Sequence, residues 1–84
     1  MAELVVTASI IEAAPARFVI VVSSAPEQPD TNTHTDVEIG DASALDEAKD
    51  VMRRLIGEVV DRAERRGDRV GRVKRIVPTA QTGD

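Results

Sequence analysis

From Ser43 to Arg66 apolar residues recur at every third or fourth position, the spacing of an amphipathic helix. Advancing about 100° per residue from Leu45 brings Ala48, Met52, Leu55, Ile56, Val59 and Ala63 into one arc with it, flanked by Ala44, Val51 and Val60. The opposite side carries Asp46, Asp50, Arg54, Glu58, Asp61 and Arg65. Asp50 and Arg54, Glu58 and Arg62, and Asp61 and Arg65 are acid-before-base pairs one turn apart. Ser43 is placed as N-cap, Asp46 in a capping-box position and Gly67 as the C-terminal stop. Such a helix runs about 36 Å, longer than a strand of eight residues, so its last turn should pass beyond the sheet it covers. Arg66 falls on the core side of the wheel and fits there only where the core has ended.

Ahead of this helix the period changes to two. Glu3 to Ile11 alternates Leu4, Val6, Ala8 and Ile10 on one face with Val5, Thr7, Ser9 and Ile11 on the other. Ala13 to Ala16 makes a short connection to Arg17–Ser23, where Phe18, Ile20 and Val22 share one face and Val19 and Val21 the other. The two strands read as a hairpin. Ser24 to Thr33, with Pro26, Pro29, Asp30 and Asn32, reads as a mobile polar loop. Thr35 to Ile39 reads as a third strand with Val37 and Ile39 inward and Asp36 and Glu38 outward, and Gly40 and Asp41 as the turn into the helix. Val70 to Val77 reads as a fourth strand, Val73 and Val77 inward, Arg72 and Lys74 outward, ended by Pro78. A parallel crossover beside the third strand would set Asp36 and Glu38 against Arg72 and Lys74.

The expected fold is therefore α+β. It is a two-layer sandwich in the order β-β-β-α-β, a four-stranded mixed sheet with one long helix on one face. A single domain spans residues 1–78, and 79–84 form a polar tail expected to be disordered. The strand order is shared by several unrelated small folds, and no residue pattern singles one out.

Composition narrows the function. A chain of 84 residues holds one modest core, at a size where oligomerisation often supplements the interior. Phe18 is the only aromatic residue, which removes aromatic stacking as a means of binding bases or sugars. There is no cysteine, hence no disulfide, thiolate nucleophile or cysteine metal site. Glu3 stands where a signal peptide would carry a base, and no apolar run reaches membrane length, so the expected location is the cytoplasm, with no membrane partner. Arginine outnumbers lysine nine to two, a bias typical of high-GC bacterial or phage genomes. Residues 1–52 carry two bases against ten acids and residues 53–84 nine against five, so the net charge of −4 divides into −8 and +4. The molecule should be electrically polar.

Three functional readings follow. Both faces of the hairpin are apolar, although one helix covers only one of them, and Gly57 breaks the water-facing side of the helix at a cost of about 1 kcal/mol. Val5, Ile11, Val19, Val21 and Gly57 are therefore candidates for an oligomer interface. The implied function is a small non-enzymatic protein–protein interaction or assembly module whose partners are itself and another protein. The second reading is nucleic-acid binding through Arg62, Arg65, Arg66, Arg69, Arg72, Lys74 and Arg75, although Asp61, Glu64 and Asp68 interrupt that run. The third is a small enzyme centred on His34 and Asp36, for which no elbow or glycine-rich turn presents a nucleophile. Asp30, Asn32, His34 and Asp36 alternate, which in an extended segment puts all four on one side, as metal ligands require. They lack the turn glycine and bidentate glutamate of a calcium loop, so no metal and no cofactor is assigned.

Overall fold

The computed structural model describes residues 3–27 and 36–78. Strands β1 (Glu3–Ala14), β2 (Arg17–Pro26) and β3 (Val37–Ala42) precede helix α1 (Leu45–Arg65), and β4 (Arg69–Ile76) follows it. The expected α+β sandwich is present, a mixed sheet in the order β3-β2-β1-β4 with the 21-residue helix packed on one face. His34, the segment of residues 28–35 that contains it and the expected tail lie outside the described residues.

The core forms where the two periods meet. Leu4, Val6, Ala8 and Ile10 of β1, with Ile20 and Val22 of β2, are buried beneath Ala48, Val51, Met52, Leu55, Ile56, Val59 and Ala63 of α1. Phe18, Leu45, Val70 and Val73 close its margins. Except for Val70, which a bulge at Gly71 brings to the core side, these side chains are the inward set read from alternation and from the helical wheel. Each face of the sheet therefore receives one parity of every strand, and a slip of one residue would exchange them all.

Such an exchange separates β3 from its expected orientation. Val37 and Ile39 point to the open face, and Glu38, Gly40 and Ala42 lie under the helix. The reason is spatial. A Cβ on Gly40 would stand 2.8 Å from Val51 Cγ1 and 3.2 Å from Leu55 Cδ1, so the helix rests on bare backbone there. The charges agree, because Arg62 and Arg66 reach down from α1 to Glu38 and Asp36 at 2.6 and 2.8 Å. Gly40 and Asp41, expected in a turn, continue the strand.

The fourth strand also lies elsewhere than expected. It pairs in parallel with β1, at the far edge from β3, so Asp36 and Glu38 do not meet Arg72 and Lys74. A bulge at Gly71 between the pairs Leu4–Val70 and Val5–Arg72 shifts its register. Val73 faces the core, whereas Val77 lies past the strand and is exposed. The hairpin is longer than read: β2 continues through Ser24 and Ala25 to Pro26, and the connection contracts to Pro15 and Ala16. The buried Ser24 hydroxyl accepts a hydrogen bond from Asp36 N–H at 3.3 Å, which satisfies the polar group within the core.

The ends of α1 follow its sequence closely. Ala44 rather than Ser43 is the N-cap, and Glu47 instead of Asp46 reaches back to accept from Ser43 N–H and Oγ at 3.1 and 3.2 Å. At the C-terminus Gly67 adopts φ +89°; its N–H donates to Glu64 O and the Asp68 N–H to Ala63 O, the Schellman arrangement.

Candidate functional site

The open face of the sheet is built from the opposite parity of the core. Register places Ile39 beside Val21, Val21 beside Ser9, and Ser9 beside Ile76, one row across all four strands. A neighbouring row joins Asp41, Val19 and Ile11, and on the other side Val37, Ser23, Thr7 and Lys74 form a third. Ile39 is 68% exposed, Ile76 57%, Val37 55% and Ile11 52%. Val5, Val19 and Val21 are half-buried by their neighbours on the same face. The inverted parity of β3 thus enlarges the apolar surface by two residues that sequence reasoning had placed in the core. The available signal was Gly40: a glycine at the parity of Glu38 marks the side where another element approaches closely.

Gly57 is not part of this surface. It lies on the exposed side of α1, in the other layer, and a Cβ there would meet nothing within 4 Å. The candidate interface residues therefore divide between two sides of the molecule, with Val5, Ile11, Val19 and Val21 together and Gly57 apart.

The basic run is also divided. Arg62 pairs with Glu38, Arg66 with Asp36 and Asp68, Arg65 with Asp61 at 3.0 Å, and Arg72 with Glu27 at 3.1 Å. Hydrogen bonding to Glu38 raises the Arg62 pKa above its ordinary value against the opposing effect of desolvation. Asp36 does the same for Arg66. Lys74, like Arg72, has the open-face parity of β4, and Arg75 has the helix-side parity, opposite Ala8 of β1. Arg69 is exposed where β4 begins. The seven cations are thus spread over a helix end and an edge strand, with four engaged by carboxylates.

Asp36 is committed to Arg66 beneath the helix end. Among the described residues, no cluster of three or more potential metal ligands is gathered. A shallow depression of about 410 Å³ lies where the hairpin turn, the end of β3 and the start of α1 converge. Its lining of Ala16, Arg17, Asp41, Ala42, Ser43 and Glu47 includes one hydroxyl, already hydrogen-bonded to Glu47. Among the described residues, no helix is long and apolar enough to cross a membrane. No family model, curated protein or solved structure matches the chain.

Proposed function

We propose that the protein is a small non-enzymatic interaction module that associates with a second copy through the open face of its sheet. The observation that carries this reading is the row Ile39, Val21, Ser9 and Ile76, exposed at both ends and continued by Ile11, Val19 and Val37. The row is compatible with a two-fold axis parallel to the strands. Such an axis reverses strand order in the facing copy, so Ile39 of one copy falls over Ile76 of the other, and Val21 over Ser9. Apolar residues then cover apolar residues at both ends of the contact. Covering the surface in this way removes it from water without requiring a partner of different shape.

The test replaces Val19 and Val21 together with Lys. Both lie on β2 and point away from the core, so the helix side is undisturbed. Light scattering should report a folded protein of lower molar mass, with circular dichroism unchanged. An unchanged molar mass would remove the face as the interface.

A further inference from the structure

We infer that β3 is a second self-association element, pairing antiparallel with β3 of another copy so that the two sheets become continuous. This contact uses backbone rather than the open face, so it goes beyond the reading above. Among the described residues, β3 is an edge strand that leaves one side of its backbone unpaired. Ser24 N–H donates to Asp36 O at 3.0 Å, which makes Asp36 and Ser24 a hydrogen-bonded position of the β2–β3 ladder. In an antiparallel ladder these positions alternate, so Glu38, Gly40 and Ala42 also address β2, and Val37, Ile39 and Asp41 direct N–H and C=O outward.

The two edges of the sheet are differently protected. β4 carries Arg69, Arg72, Lys74 and Arg75 and is interrupted by the bulge at Gly71, both devices that discourage strand addition. β3 is the less guarded edge: it carries Glu38 and Asp41 but no Lys, Arg, Pro or bulge, and Val37 and Ile39 are exposed. Self-pairing also has one favoured register. Centred on Ile39, it sets Ile39 against the second copy's Ile39 and Val37 against its Asp41. Every outward residue then faces an outward residue, and the three pairs exchange six hydrogen bonds. Centring on Glu38 would form fewer bonds and oppose two glutamates, whereas the favoured register places Glu38 across from Gly40. The same register joins Ile76, Ser9, Val21 and Ile39 to their counterparts in an unbroken row.

Amide hydrogen exchange over a protein dilution series tests the pairing directly. The Val37, Ile39 and Asp41 amides should gain protection as concentration rises, with Glu38 and Gly40 as internal references already protected by β2. Asp41→Pro removes an outward donor while leaving both the β2 ladder and the apolar face intact. It should raise the dimer dissociation constant at least about tenfold. Outward amides that stay unprotected in the associated protein, or a dissociation constant that Asp41→Pro leaves unchanged, would overturn the inference. The two contacts separate cleanly. Association lost in Val19→Lys/Val21→Lys but kept in Asp41→Pro, with no alternating protection, assigns the face alone; the reverse assigns the edge alone.

Discussion

Three residues determine how closely the chain can follow its path. At Gly40 the helix approaches β3 so closely that a methyl group would meet Val51 Cγ1 at 2.8 Å, and Val51 is itself held by the core. Gly40→Ala should therefore destabilise the fold by about 1–3 kcal/mol through overpacking, measured by urea denaturation. Gly67 presents a different constraint, since nothing lies within 4 Å of a Cβ there but φ is +89°. Gly67→Ala should cost about 1 kcal/mol from backbone strain alone. Ala16, in the hairpin turn, has φ 58° and is the only non-glycine residue with positive φ among the described residues. Ala16→Gly removes that strain while increasing the freedom of the unfolded chain, so the same denaturation experiment should show a change between zero and about 1 kcal/mol of stabilisation.

Among the elements, β3 best shows what the pattern revealed and what it concealed. Both hairpin strands and the helix could be read because each has many alternating or periodic positions, and thirteen buried apolar side chains agree on which way is inward. In β3 the only large apolar residues are Val37 and Ile39, and a pattern that sends apolar residues inward turns them the wrong way. The deciding facts are tertiary: the close approach of α1 at Gly40, and two arginines that meet Asp36 and Glu38 only once the helix is in place. Nor could the position of β4 be read, because a crossover is compatible with either edge of the hairpin and its bulge at Gly71 obscures the alternation. The inverted parity has a direct consequence. Val37→Thr and Ile39→Thr should each change monomer stability by no more than about 0.5 kcal/mol, measured at low protein concentration, whereas Val22→Ala, beneath the helix, should cost several-fold more. The links from α1 to β3 are modest by comparison. Arg66 and Asp36 are 27% and 17% exposed, and their coupling in a double-mutant cycle should be up to about 1 kcal/mol. Since Asp36 raises the Arg66 pKa, the Arg66 side of this contribution is fully present at neutral pH and is lost as pH rises beyond the ordinary arginine range.

For the whole molecule, the acidic and basic parts of the chain end up at opposite edges of one sheet, Glu38 and Asp41 on β3 and Arg69, Arg72, Lys74 and Arg75 on β4. That arrangement offers a third way to associate, edge to edge and head to tail, which does not close on itself and would grow into filaments. Ionic strength distinguishes it from the contacts proposed above. Surface charges separated by a few ångströms are screened strongly at molar salt, where the Debye length falls to about 3 Å, whereas apolar burial and backbone hydrogen bonds are not. Light scattering over a dilution series at low and high salt should therefore show an assembly whose mass is unchanged by salt. Masses that climb without limit at low salt and collapse at high salt would identify the charged edges as the contact instead. The edge strand argues for the first outcome: Arg72 already pairs with Glu27 of its own chain, and the exposed Arg69, Lys74 and Arg75 suit β4 to staying in water rather than to holding a second molecule.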